Sequence, residues 1–284
     1  MNNQTIQLEK ITINIPKISL EEIDNLEADI ERLRPRGAKA KELIPLLMSC
    51  IDLTSLEATD TIEKITGLAN NAKNPHSKLP PAAAVCVYPT LVGDIKSELA
   101  GTDIKIATVA GGFPHGQVSS KVKYAEVAEA INAGANEVDL VCSRKLFHEK
   151  KYNEFFHEIH QSKKLCAEKN VHLKVILETG ELIGPSEIYL ASMLCLHAGA
   201  DFIKTSTGKT NPAATIDASI VMAMAIRDFG EKRGFKPAGG IRTFEDAISY
   251  YMVMKLILGE EYLNSSLFRI GASSLLHDLI QHLD

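Results

Sequence analysis

The sequence has 284 residues, 45% hydrophobic and 24% charged, with a formal net charge of −5. That length suits one large α/β barrel or two average domains. The charge provides no basic field to attract nucleic acid or an anionic membrane surface, and no apolar run approaches the ~20 residues that span a bilayer.

The opening MNNQTIQLEK lacks the cationic-then-apolar order of a secretory signal. The five cysteines (Cys50, Cys86, Cys142, Cys166 and Cys195) form no C-x-x-C pair, the pattern of reduced thiols in a cytoplasmic protein. A first helix is predicted from Ser19, a good N-cap followed by acids in the first turn. Leu20, Ile23, Leu26, Ile30 and Leu33 recur at helical spacing until RPRGAK ends the helix. Short apolar or β-branched runs then occur near 47–53, 83–88, 104–110, 136–141, 171–178, 201–206, 234–238 and 267–270. Helical stretches fall between them at 57–71, 91–99, 118–133, 151–169, 186–198, 214–229 and 243–258, and 273–282 closes the chain. Alternating strands and helices imply a parallel sheet with helices outside, and eight repeats favour a closed (β/α)₈ (TIM) barrel over an open doubly wound sheet. The expected division is an N-terminal helical extension over 1–45 and a catalytic barrel over 46–284.

The segment FIKTSTGKT ends in Gly-Lys-Thr but is not a nucleotide loop. A Walker A motif would need glycine at 203, where the chain has Ile203. A glycine and a lysine just after a barrel strand still suit a single phosphate. Strand parity sets Phe202, Lys204 and Ser206 on one face and Ile203 and Thr205 on the other. Ile203 suits the helix side, so Lys204 points into the barrel near the C-terminal end of its strand, where active sites of this architecture lie. The same parity turns Asp139 inward from NEVDLV and Lys174 inward from VHLKVILETG. Lys236 stands just before Pro-Ala-Gly-Gly, and Asp52 and Thr54 end the first strand. Unpaired buried charge is costly, so three lysines and an aspartate converging on one lumen point to chemistry. A lysine becomes nucleophilic only as the neutral amine, which desolvation and a second nearby cation favour. Such an amine can attack a carbonyl to form a Schiff base, with a carboxylate such as Asp139 moving protons. Gly239 and Gly240 in AGGIRT and Gly271, Ser273 and Ser274 in GASSLL follow the last two strands. Barrel enzymes often hold phosphate there, at the N-terminus of a short helix.

Six motifs, DFIKTSTGK, GFKPAGGIRT, GASSLL, NEVDLV, LKVILETGEL and ATVAGGFPHG, resemble the 2-deoxyribose-5-phosphate aldolases, class I Schiff-base enzymes with a (β/α)₈ fold. The resemblance runs from about residue 45 to 280. It implies reversible cleavage of 2-deoxy-D-ribose 5-phosphate to acetaldehyde and D-glyceraldehyde 3-phosphate, in deoxyribose phosphate catabolism, with no metal or other cofactor. It assigns the Schiff base to Lys204, the perturbing second lysine to Lys236 and the proton relay to Asp139. Asp52, Thr54, Lys174 and Thr205 are the expected substrate-binding residues, with Asp52 against the hydroxyl-bearing part. Gly208, Lys209, Gly239, Gly240, Gly271, Ser273 and Ser274 are the expected phosphate positions. Cys86 in VCVYP matches a family cysteine near the site, and is equally a small core residue. The implied partners are small phosphorylated sugars and aldehydes and further copies of the chain, as a homodimer or other homo-oligomer, with no nucleic acid or membrane.

Two departures stand out. Some family members end in a flexible tail whose terminal tyrosine assists proton transfer, whereas this sequence ends LLHDLIQHLD and its last tyrosine, Tyr262, precedes the eighth strand. Proton exchange is then expected to rely on Asp139, Lys236 and water. The apolar stripe of the first helix is expected to lie either over the bottom of its own barrel or against a second subunit.

Overall fold

A computed structural model describes residues 4–9 and 11–283. The ends of the expected extension and barrel, residues 1–3 and Asp284, lie outside the described residues, as does Lys10. The N-terminal region is more than helical: β1 (Gln4–Gln7) and β2 (Thr12–Ile15) pair antiparallel, with Gln4 opposite Ile15. Helix α1 (Leu20–Leu33) begins as predicted, with the Ser19 hydroxyl accepting from the Glu22 amide. Short helices α2 (Ala38–Lys41) and α3 (Ile44–Ser49) follow.

The strands of the barrel are β3 (Ile51–Thr54), β4 (Ala84–Val87), β5 (Lys105–Ala110), β6 (Glu137–Val141), β7 (His172–Ile176), β8 (Phe202–Lys204), β9 (Gly234–Lys236) and β10 (Ile270–Ala272). All pair parallel, in the order β10-β3-β4-β5-β6-β7-β8-β9. Bridges from Phe235 to Phe268 and from Ala238 to Gly271 close the ring between β9 and β10. The intervening helices are α4 (Ile62–Lys73), α5 (Val92–Glu98), α6 (Ser120–Ala133), α7 (Arg144–His148), α8 (Tyr152–Ala167), α9 (Gly184–His197), α10 (Ile216–Phe229) and α11 (Phe244–Ile257), with α12 (Leu275–Gln281) after β10. The expected (β/α)₈ architecture is therefore present. Two boundaries differ: the run predicted as a strand over 47–53 is helical through Ser49, and the last strand begins at Ile270, where the predicted one ends. No helix among the described residues is long and apolar enough to cross a membrane.

Helices α10 and α11 are apolar around most of their circumference, with Ala218 to Ile226 all buried in α10. A barrel helix normally leaves one face to water. Here α1 lies across α10 and α11, and β2 lies against α9. Ile23 and Ile30 of α1 are buried in that seam. Ile23 and Ile30 of the stripe thus pack on the outer flank of the chain's own barrel rather than beneath it, while Leu20 and Leu33 at its two ends stay exposed.

The strands divide their side chains as parity requires. Val138, Leu140, Leu173, Val175, Ile203 and Phe235 join the main core under the helices. Inside the ring, Leu56, Ala84, Cys86, Ala107 and Val109 form a separate apolar cluster, flanked by Tyr88 and Phe113. Phe202 fills the lumen where Gly234 leaves space, since a Cβ there would lie 2.2 Å from the Phe202 ring. One wall of the lumen is therefore small and apolar, and the rest carries charge.

Candidate active site

Four basic side chains meet three carboxylates inside the barrel. Lys204 Nζ lies 2.7 Å from Asp139 Oδ2, and Lys236 Nζ lies 2.8 Å from the same oxygen. Lys236 also reaches Asp52 at 2.5 Å. Lys174 bonds Asp139 at 2.8 Å and Glu137 at 2.6 Å, with Asp52 3.6 Å away. Arg269 spans Asp52 at 2.6 Å and Glu137 at 2.7 Å. Register explains the convergence. Lys204 and Lys236 are direct neighbours on β8 and β9, and Asp139 and Lys174 are direct neighbours on β6 and β7.

Charge balance separates the basicity of the three lysines. With all four bases protonated the cluster carries one uncompensated positive charge in a dry interior, where unpaired charge is expensive. Lys174 touches three carboxylates and Lys236 two, while Lys204 touches Asp139 alone. Burial lowers the Lys204 pKa from its ordinary 10.5, and the Lys236 charge lowers it further against the pull of Asp139. Burial acts on Lys236 and Lys174 too, but their carboxylates outweigh it and hold both above the ordinary lysine value. Asp139 is likewise desolvated, yet Lys174, Lys204 and Lys236 keep it ionised well below the usual carboxylate range.

A cavity of about 270 Å³ opens above this cluster. Lys204 is only 2% exposed, yet it is the one of the three lysines on the cavity wall. Thr54 also lines the cavity, its hydroxyl donating to the Asp52 carbonyl at 2.8 Å. Asp52 and Lys174, expected to bind substrate, are instead fully buried in the ion cluster beneath the cavity. The reason is depth: Lys174 is level with Phe202, and Ile176 is level with Lys204, so Lys174 enters the lumen one layer below. Thr205, also expected to bind substrate, is buried between strand ends, where its hydroxyl accepts from the Ala238 amide at 3.0 Å.

The far wall holds Gly208, Lys209, Gly239, Gly240, Gly271 and Ser273, all expected phosphate positions. Ser274 is not among the lining residues and instead stands at the start of α12. Gly239 has φ +86°, and a Cβ on it would lie 2.8 Å from both Gly208 Cα and Ala213 Cβ. Only glycine at 239 lets these two loops pack backbone to backbone.

Sequence reasoning did not single out six residues of this region. Glu137 and Arg269 complete the ion cluster. Glu57 and Arg242 line the cavity mouth. Glu178, fully buried, accepts from the Thr207 amide at 3.2 Å and hydroxyl at 2.6 Å, and pairs with Arg144 at 3.4 Å. Arg144 in turn donates to the His115 carbonyl at 2.8 Å. This strut ties together the segments that follow β5, β6, β7 and β8. Glu137 was legible by parity with Asp139, two residues on. Cys86 packs in the apolar wall, and burial raises its thiol above the ordinary value. No cluster of three or more His, Cys, Asp or Glu among the described residues is arranged to hold a metal ion.

A lysine of lowered basicity, a carboxylate at hydrogen-bond distance and a glycine-lined cavity wall make carbonyl chemistry feasible. Comparison with known proteins agrees. Residues 46–279 match the family model described as DeoC/LacD family aldolase. The deoxyribose-phosphate aldolase of Homo sapiens is 42% identical over 289 residues, covering 96% of this chain and 89% of that protein. The Bos taurus deoxyribose-phosphate aldolase is 45% identical over 249 residues, covering 82% of this chain and 78% of that protein. The tetrameric deoxyribose phosphate aldolase from Aeropyrum pernix superposes with a TM-score of 0.70 at 26% identity, covering 94% of this chain and all of that one. With the ring of eight strands, the lysine at its mouth and this similarity along most of its length, the chain belongs to the DeoC/LacD family of aldolases.

Proposed function

We propose that this enzyme reversibly cleaves 2-deoxy-D-ribose 5-phosphate to acetaldehyde and D-glyceraldehyde 3-phosphate through a Schiff base on Lys204, in the degradation of deoxyribose phosphates. The observation that carries the reading is that Lys204, alone of the three clustered lysines, both lines the cavity and has lowered basicity. The names of the human and bovine relatives supply the substrate.

In this reading the neutral amine of Lys204 attacks the C1 aldehyde carbon of the open-chain sugar, and loss of water leaves a protonated imine. The C3 hydroxyl loses its proton, the C2–C3 bond breaks, and its electron pair enters the iminium to give an enamine. D-Glyceraldehyde 3-phosphate leaves. Protonation of the enamine carbon and hydrolysis then release acetaldehyde and restore the amine. The iminium cation sits beside Asp139, whose carboxylate stabilises it and serves the proton transfers, directly or through water. The Lys236 and Lys174 charges hold Asp139 ionised between turns. Lys209, Arg242, Ser273 and the amides around Gly239 and Gly240 receive the phosphate, while Leu56 and Val109 offer an apolar wall to the two-carbon end. Five buried, unpaired thiols accord with a cytoplasmic setting, and the tetrameric relative with a homo-oligomer.

Acetaldehyde with borohydride tests the covalent step. The expected product is one stable two-carbon adduct, located on Lys204 by peptide mass mapping. An unmodified protein, or an adduct on Lys174, Lys209 or Lys236 in its place, would refute the assignment.

A further inference from the structure

The phosphate wall already has an anion in it. Lys209 Nζ lies 2.9 Å from Glu57 Oε1, and both residues line the cavity. The pair joins the loop after β3 to the loop after β8, on either side of β10 and β9, whose following loops form the wall between them. Both backbones are anchored. The Glu57 amide donates to Asp60 Oδ2 at 3.0 Å, and Ser55 holds the other oxygen of that carboxylate at 2.8 Å. The Lys209 amide donates to the Thr207 hydroxyl at 3.1 Å, and Thr207 is fixed by buried Glu178. The side chains themselves remain 31% and 61% exposed, so the ion pair is a weak, exchangeable one.

We propose that Glu57 is an internal counter-ion for the phosphate site: its carboxylate occupies Lys209 when the site is empty and must yield the ammonium to a phosphate monoester dianion. Glu57 thereby sets how strongly the cavity prefers phosphorylated over unphosphorylated substrate. The substrate part rests on the aldolase reading above; the anion exchange at Lys209 does not. A dianion approaching Lys209 meets a like charge that either swings away or shares the ammonium, and both weaken binding. Removing the Glu57 charge while keeping its shape removes the competitor.

The test is the affinity of Glu57→Gln for inorganic phosphate, followed by ³¹P NMR or calorimetry. The expected result is binding about three- to tenfold tighter than wild type. The ratio of kcat/KM for 2-deoxyribose 5-phosphate to that for 2-deoxyribose should rise by a similar factor, through KM. Lys209→Met should weaken phosphate binding and erase the effect, so that Glu57→Gln/Lys209→Met binds phosphate like Lys209→Met alone. Unchanged or weaker phosphate binding in Glu57→Gln, a gain that persists without Lys209, or no phosphate binding by either protein would overturn the proposal. A wild type that binds phosphate but does not cleave the sugar phosphate would refute the aldolase reading instead, and the titration of Glu57→Gln would still decide this one.

Discussion

Lys204→Leu is expected to lose turnover by at least about 10⁴-fold, since removing the proposed covalent nucleophile forfeits its whole route. The neighbouring amines offer no rescue. Lys174 and Lys236 are held protonated by two or three carboxylates each and do not line the cavity. The fold should survive, because the remaining cations Lys174, Lys236 and Arg269 match the three carboxylates Asp52, Glu137 and Asp139. Leucine also packs readily against the apolar wall. A coupled assay for glyceraldehyde 3-phosphate, run beside thermal unfolding followed by circular dichroism, checks both halves. Turnover within tenfold of wild type would remove Lys204 from the mechanism.

Asp139→Asn is expected to damage stability and rate together. Asp139 bonds all three lysines, at 2.7 to 2.8 Å, and is fully buried. Replacing it leaves four bases facing two carboxylates, and stripping one partner from a buried ionic group costs about 3–5 kcal/mol. Urea unfolding measures that loss. In the proposed mechanism the proton relay goes with it, so kcat should fall by about 10²–10⁴-fold. The sign of the pH effect separates the two roles. Asp139 favours the charged form of Lys204, so its loss makes the amine less basic. The pH–rate profile should therefore shift to lower pH even as the maximum rate collapses. A shift toward alkaline pH would contradict the electrostatic account.

Parity and order carried most of the architecture. The alternation of short apolar runs with helical stretches was enough for the ring of eight strands, and Ile203 beside Lys204 was enough to turn one side chain outward and the other inward. Depth was not legible. Residues on one face of a strand all point into the lumen, but whether they line a cavity or sit beneath it depends on the stagger between strands. Thus Lys174, level with Phe202, lies below Lys204. The run IPLLMSCIDL shows a second limit: short apolar stretches read equally as strand or buried helix. Pro45 in the first turn of α3 was the available signal for a helix. Arg269 lies just before β10, two residues from Gly271, and parity with that glycine was its only sequence clue. The pairing of Glu57 with Lys209, 152 residues apart, left no local trace.

Lys204 is less basic than an ordinary lysine because four buried bases face only three carboxylates and it touches just one of them. The most direct test of this is the pH dependence of reductive alkylation at Lys204, followed residue by residue in the wild-type protein. Labelling of Lys204 should rise to a plateau with a midpoint below the ordinary lysine value of 10.5, while Lys236 stays unlabelled throughout. A midpoint for Lys204 at or above 10.5 would contradict the charge-balance explanation.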